Sequence, residues 1–136
     1  KTVTVQSIHH INFLVRDLES GIDWYESMLG LEAFIIDDLP GRGVRTARIR
    51  LGQTWLVLVQ PTEENGIPAR HLEQHGEGFF LISMGVEDLE AAATRIATAG
   101  GAMDGDSRRG LEGWKIWDIA SMQATGAQFQ LCEDKN

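Results

Sequence analysis

The chain has 136 residues and a mass of 15.1 kDa, which suits one compact domain or two small modules that share a core. Its 43% apolar and 24% charged residues are typical of a globular protein and exclude a disordered chain, a collagen-like fibre or a coiled coil. The longest uninterrupted apolar stretch, Trp55–Val59, is far below the ~20 residues that a membrane span needs. We therefore expect no membrane partner.

The net charge and the cysteine content indicate which partners and which cellular compartment to expect. Twelve Lys and Arg face twenty Asp and Glu, a net charge of −8 that repels polyanions, so we expect no nucleic-acid partner. A single cysteine, Cys132, cannot form an internal disulfide. These features predict a cytoplasmic protein in a reducing environment.

The first half of the chain predicts a strand, a helix and then three strands. Asp17 is a helix-capping residue, and Leu18, Ile22, Tyr25 and Leu29 follow at helical spacing before Gly30. The strands are predicted at Ile8–Val15, near Ala33–Ile36, at Arg45–Leu51 and at Trp55–Val59, the last two forming a hairpin around Gly52-Gln53.

The second half repeats this order after a joint that contains Pro61, Gly66 and Pro68 and a possible short helix at Ala69–Gln74. The predicted strand Phe79–Val86 leads to Asp88 and to a helix that ends before Gly100-Gly101. Further strands are predicted near Ala102, at Trp114–Ile119 and at Gln128–Cys132.

The two halves also align without a gap. Between residues 11 and 30, six identities occur at an offset of 71 residues, and they include both helix caps and the junction between strand and helix. Such positions are the ones that a duplicated unit has to share, so we interpret the chain as an internal duplication. The matched pairs are Ile11/Ile82, Val15/Val86, Asp17/Asp88, Leu18/Leu89, Glu19/Glu90 and Gly30/Gly101.

These elements predict an α+β fold in which two tandem βαβββ modules form a curled mixed β-sheet cup with the helices outside. We expect a single domain over residues 1–136, made of a first module at 6–61, a linker at 62–77 and a second module at 78–133. A concave sheet of this kind is a common small-molecule site.

Alternation along the strands predicts which side chains face the cup. His10 and Asn12 lie on that face, whereas His9 is expected on the opposite one. The other residues expected on the cup face include Trp55, Val57, Leu81, Ser83, Gln130 and Cys132. No base is adjacent to Cys132 in the sequence, and we interpret it as a small apolar filler.

Four segments carry a resemblance to a known family: Ile8-His9-His10-Ile11, Trp24-Tyr25 through Leu29-Gly30-Leu31, Leu58-Val59-Gln60-Pro61 and His71–Gly78. Together with the paired βαβββ modules, they resemble the vicinal oxygen chelate superfamily of glyoxalases, bleomycin-resistance proteins and extradiol dioxygenases, nearest its methylmalonyl-CoA epimerase branch. The resemblance implies a small organic ligand and a homodimer.

The metal-dependent members of that superfamily place four ligands at positions that correspond to His10, Val57, Leu81 and Gln130. Because two of these are aliphatic and one is a neutral amide, we predict no metal and no other cofactor. The glutamate base of the epimerase branch corresponds to Gly41, two residues before Gly43-Val44.

The candidate catalytic residues are His10, as general acid or base, and Gln130, as a hydrogen-bonding partner of the substrate. The guanidinium of Arg48 could bind a carboxylate or a phosphate, and Trp55 and Trp114 could stack on a planar ligand. The candidate substrate-binding residues are Asn12, Arg48, Trp55, Val57, Leu81, Ser83 and Trp114.

Three functions are compatible with this pattern. The first is a metal-independent lyase, isomerase or cyclase that moves a proton with His10. The second is a non-catalytic protein that sequesters a drug or metabolite, for which the acidic charge suits a cationic ligand. The third is a metal-dependent lyase, epimerase or dioxygenase that recruits an unforeseen ligand.

Overall fold

The computed structural model describes residues 4–120 and 128–135. Its elements follow the predicted order, a βαβββ series twice, with one additional helix between the two series. They are β1 (Val5–Leu14), α1 (Leu18–Leu29), β2 (Ile35–Leu39), β3 (Val44–Leu51), β4 (Thr54–Pro61), α2 (Ile67–His75), β5 (Gly78–Val86), α3 (Leu89–Thr98), β6 (Met103–Arg109), β7 (Lys115–Ile119) and β8 (Phe129–Glu133).

The helix boundaries arise from local capping chemistry. The carboxylate of Asp17 accepts a hydrogen bond from the backbone N–H of Ser20 at 3.1 Å, and α1 ends at Gly30 in the left-handed conformation with φ of 69°. The carboxylate of Asp88 accepts from the N–H of Ala91 at 3.0 Å in the same way. Both capping predictions are confirmed.

Contacts between residues divide the chain into two compact units, which we describe separately. The unit of residues 11–80 has the strand order β2-β3-β4-β1, and both the β2–β3 and the β3–β4 pairs are antiparallel. Helix α1 packs on one face of these strands through an apolar core. That core consists of Val15, Leu18, Ile22, Ala47 and Leu58.

The other unit combines residues 1–10 with residues 81–136, as far as these are described, in the strand order β1-β5-β8-β7-β6. It is mixed, because β5 pairs with β8 in parallel whereas β8–β7 and β7–β6 are antiparallel. Helix α3 covers one face through a core of Val86, Leu89, Ala92 and Leu131.

The α+β class, the repeated βαβββ order and the mixed sheet are therefore confirmed. The two compact units differ from tandem modules in one respect, since residues 5–10 of β1 group with the second half of the chain. The module boundaries 6–61, 62–77 and 78–133 stay a prediction. Among residues 4–120 and 128–135, no helix is long and apolar enough to cross a membrane.

Candidate active site

A pair of adjacent buried histidines lies in the unit that combines residues 1–10 with residues 81–136. His9 and His10 are both buried, with exposed fractions of 8% and 4%, and their Nδ1 atoms lie 2.9 Å apart. The prediction that His9 faces away from His10 is wrong, because strict alternation assumes a regular strand, whereas here both rings turn toward one shared hydrogen bond.

Gly85 in β5 gives these side chains the room they need. A Cβ atom at position 85 would collide with Oγ of Ser7 and would lie 3.6 Å from Cβ of His9. Ser7 and His9 thus lie against the bare backbone of Gly85, and the first strand approaches β5 closely at this point.

Asp134 orients the histidine pair from the C-terminal end of the chain. Its Oδ2 lies 2.8 Å from Nε2 of His9, and because a carboxylate only accepts, Nε2 of His9 donates. In a neutral imidazole, Nδ1 of His9 is then the acceptor, so Nδ1 of His10 donates to it. This arrangement leaves the lone pair of His10 on Nε2.

Burial controls the protonation of His10. Removal of the ring from water, together with the neighbouring His9, lowers the pKa of His10 from 6.5 to about 3, although Gln130 and Asp134 act in the opposite direction. His10 is therefore a neutral imidazole at physiological pH, and in the unliganded protein it takes up a proton far less readily than a histidine in water.

The amide nitrogen of Gln130 is anchored by a carboxylate, which holds the side chain beside His10. Its Nε2 donates to Oδ1 of Asp118 at 2.9 Å, and Arg108 approaches the second oxygen of that carboxylate at 3.1 Å. The Asp118 carboxylate thereby fixes which end of the amide is nitrogen. The Gln130 side chain is buried, and its Oε1 lies beside His10 but forms no hydrogen bond of good geometry with any described residue.

Ser83 supplies a second buried polar atom of this kind. It is paired with Gln130 in the β5–β8 register, and among the described residues its Oγ has no hydrogen-bond partner. A buried polar group without a partner costs about 1–3 kcal/mol, so such groups are usual where a ligand or a water molecule completes the bonding.

Trp114 and Cys132 complete the surroundings of the pair. The indole of Trp114 stacks on His10 with ring centres 4.9 Å apart and meets His9 edge-on at 4.5 Å. Cys132 is fully buried, and burial, Asp134 and Glu133 raise the pKa of its thiol to about 12. The protonated thiol is a poor nucleophile, but its sulfur lies close to both imidazoles.

A second group of candidate residues lies in the unit of residues 11–80. Arg48 is almost fully buried, forms an ion pair with Asp37 and lies 5.4 Å from the ring centre of Trp55. Val57 is buried opposite Arg48 in the β3–β4 register, and Oδ1 of Asn12 is a buried acceptor. Asp37 neutralises the guanidinium and so lessens its attraction for an anionic ligand.

Comparisons with known protein families and solved structures identify relatives of this chain. Residues 7–129 match the family described as Glyoxalase/Bleomycin resistance protein/Dioxygenase superfamily. The chain belongs to this superfamily.

Enzymes that act on coenzyme A esters are among the similar proteins. An ethylmalonyl-CoA/methylmalonyl-CoA epimerase of Cereibacter sphaeroides is 32% identical over 127 residues, which are 91% of this chain and 95% of the relative. The crystal structure of methylmalonyl-CoA epimerase from Mycobacterium tuberculosis covers 100% of this chain and 93% of its own, with 26% identity and a TM-score of 0.91.

A Streptomyces coelicolor methylmalonyl-CoA epimerase variant, solved in complex with 2-nitronate-propionyl-CoA, is also similar. It is 27% identical, covers 98% of this chain and 100% of its own, and has a TM-score of 0.90. The superfamily and the epimerase branch proposed from the sequence are thus confirmed, and the relatives are isomerase-type enzymes.

The metal that the superfamily implies does not fit the four corresponding positions of this chain. Val57 and Leu81 are both buried and offer no donor atom, while Gln130 offers only an amide. No catalytic step is therefore assigned to a metal bound by that set.

The candidate residues predicted from the sequence fall into both units. His10, Leu81, Ser83, Trp114 and Gln130 belong to one unit, and Asn12, Arg48, Trp55 and Val57 belong to the other. Sequence reasoning missed the roles of His9, Asp118 and Asp134. The His9-His10 dipeptide is the signal that could have indicated a pair, because both residues are ionisable and adjacent in the sequence.

Proposed function

We propose that the protein is an isomerase-type enzyme that moves a proton on a carbon next to a carbonyl group, with His10 as the base. The hydrogen-bonded series Asp134–His9–His10 supports this proposal, because a base oriented by a second group and a third is a recurring catalytic arrangement. The chemical step uses the protein's own groups and no metal.

In this mechanism the lone pair on Nε2 of His10 takes the proton from the substrate carbon. The positive charge that develops on the imidazole is stabilised by Asp134, through His9, and by the amide oxygen of Gln130. The hydroxyl of Ser83 is free to donate to the carbonyl oxygen as negative charge develops there.

A single base favours a particular kind of isomerisation. His10 can return the proton to the same face of the substrate at a different carbon, or leave a double bond behind after elimination. Inversion of a stereocentre requires a base on each face, and Gly41, at the base position of the epimerase branch, has no side chain to act as the second. A 1,3-proton shift or an elimination is therefore the favoured reaction.

An acyl thioester is the favoured substrate class. The similar enzymes act on, or were crystallised with, coenzyme A esters of small acids. A thioester carbonyl acidifies the adjacent C–H, and Gln130 and Asp134 counteract the effect of burial on the basicity of His10.

Exchange of the substrate's α-proton with solvent tests the proposal without knowledge of the final product. Propionyl-CoA and methylmalonyl-CoA are incubated in D₂O with chelator-treated protein, and loss of the α-proton signal is followed by NMR. We expect exchange with the wild type and a loss of at least about 100-fold in His10→Gln, as is typical for removal of a general base.

His75→Gln is the matched control, because it makes the same change at an exposed histidine on α2 and should leave the exchange rate unaltered. Equal exchange rates in the wild type and His10→Gln would contradict the proposal. Thioester binding without exchange would instead favour the sequestration function. The predicted homodimer is a separate proposal, tested by sedimentation at micromolar concentration.

A further inference from the structure

Three side chains near the centre of the active site carry donor atoms that transition metals prefer. His9, His10 and Cys132 are all buried, and one ligand atom from each lies within 4.8 Å of the others. Imidazole nitrogen and thiolate sulfur are the donor types that zinc prefers, and this set of residues differs from the four positions that the superfamily implies. The two sets have only His10 in common.

The geometry of these atoms is close to that of a tetrahedral site. Bonds of about 2.0–2.1 Å to nitrogen and 2.3 Å to sulfur separate two nitrogens by about 3.4 Å, and nitrogen from sulfur by about 3.6 Å. The two Nδ1 atoms are already 2.9 Å apart, so they need to separate by only a few tenths of an ångström. The sulfur of Cys132 lies within 4.8 Å of the histidine ligand atoms, so it needs to move toward them by at most about 1.2 Å.

Two further observations indicate a ligand site. Asp134 accepts a hydrogen bond from Nε2 of His9 at 2.8 Å, and a carboxylate on the far nitrogen is the usual partner of a metal-binding histidine. In addition, the buried amide oxygen of Gln130 lies beside His10, and among the described residues it has no hydrogen-bond partner. This oxygen is available to a water molecule in a fourth coordination position.

We propose that His9 and His10, each through Nδ1, and Cys132, through Sγ, bind one thiophilic divalent ion of the Zn²⁺ type. The metal replaces the proton that the two Nδ1 atoms share. That proton moves to Nε2 of His10, and the thiol loses its own proton to solvent, so each metal ion bound releases one proton.

The consequence is inhibition by the metal. With Nδ1 of His10 on the ion, Nε2 carries a hydrogen and has no lone pair for a substrate proton. Metal binding and base catalysis by His10 therefore exclude one another. The site itself does not depend on the proposed function, since it rests only on the positions of the donor atoms.

Cobalt(II) is the direct probe, because a cobalt–thiolate bond gives a charge-transfer absorption in the near ultraviolet. We expect chelator-treated protein to bind one Co²⁺ per chain with this absorption, and Zn²⁺ to displace it. Cys132→Ser should abolish the absorption and weaken Zn²⁺ binding by at least about 100-fold. Asp134→Asn should retain the absorption and weaken binding by about 10–100-fold.

His71→Ala/His75→Ala is the control, because two histidines one turn apart on α2 can bind metal on their own. This variant should keep the full absorption and stoichiometry. A folded wild type that gives no charge-transfer absorption with Co²⁺ would overturn the site, as would a Cys132→Ser variant with unchanged Zn²⁺ affinity. These readouts need no substrate, so they succeed or fail independently of the proton-exchange experiment.

Discussion

The protein contains two pairs of neighbouring histidines in different surroundings. His9 and His10 are adjacent on β1, are buried and share a hydrogen bond of 2.9 Å. His71 and His75 are one turn apart on α2, with ring centres 4.5 Å apart, and His71 also contacts Phe80 at 5.0 Å. The same residue type is thus buried in one pair and partly exposed in the other.

The difference shows that burial, more than residue type, decides what a histidine can do. Burial is the main cause of the lowered pKa in both His10 and His71, with a neighbouring histidine second, but only for His10 is the shift large. The buried pair also has a carboxylate that fixes its hydrogen positions. The helical pair is less buried, because His75 is exposed and His71 is only half-buried.

The largest effect is expected from removal of the ring that covers the buried pair. Trp114→Ala deletes an indole that packs on both His9 and His10, and we expect a loss of about 3–5 kcal/mol in the free energy of unfolding. Urea denaturation measures it, and Trp114→Phe should lose less. Trp24→Ala removes an indole that is 52% exposed and should cost under about 1 kcal/mol. Equal losses at Trp114 and Trp24 would contradict the packing role.

Acid should destabilise the protein through the buried pair. The pKa of His10 is 6.5 when unfolded and about 3 when folded, so between these values only the unfolded chain binds the proton. Stability is therefore lost as the pH falls below 6.5, by about 3 kcal/mol at pH 4 from this group.

Urea denaturation of chelator-treated protein at several pH values separates this contribution from other acid effects. The pH dependence should be weaker by about 1.4 kcal/mol per pH unit in His10→Gln. It should be unchanged in His75→Gln. Identical pH dependence in the wild type and His10→Gln would show that His10 is not held neutral by burial.

Loss of the orienting carboxylate should have an intermediate effect. Asp134→Asn replaces the acceptor of the His9 Nε2–H bond by a neutral amide, and we expect about 1–2 kcal/mol of destabilisation. It should also reduce proton exchange by about tenfold, because His10 loses its orientation. Asp106→Asn makes the same change at an exposed position and should alter neither quantity. Full stability and activity in Asp134→Asn would show that the carboxylate is dispensable.

The smallest effect is expected at the helical pair. His75→Ala should change the free energy of unfolding by no more than about 0.5 kcal/mol, as is usual for exposed positions. Since His75 helps to lower the pKa of His71, the pKa of His71 should rise in this variant. An NMR titration of the His71 ring detects the change. A lower pKa of His71 would contradict the assigned cause.

Local features of the fold could be predicted from the sequence, and long-range ones could not. The caps at Asp17 and Asp88 and the stop at Gly30 depend on residues within one turn, so their chemistry is visible in the sequence. The pairing of His9 with Asp134 spans 125 residues, and no spacing rule reveals it.

The candidate site was predictable in part for the same reason. His10, Ser83 and Gln130 follow from strand alternation, which works where a strand is regular. The position of His9 could not be predicted in this way, because the side chains of His9 and His10 share one buried hydrogen bond although they are successive in the strand. Cys132, interpreted as an apolar filler, has a sulfur close to both imidazoles, and only coordinates show that closeness.

Gly85 limits how this protein can change during evolution. Alanine at position 85 requires the hydroxyl of Ser7 to rotate away, whereas a longer or branched side chain would grow toward His9 and displace it. Substitutions at positions 85 and 7 are therefore coupled, because alanine at position 85 is easier to accommodate once residue 7 has lost its hydroxyl. A descendant of this protein that keeps the histidine pair is therefore expected to keep a small residue at position 85.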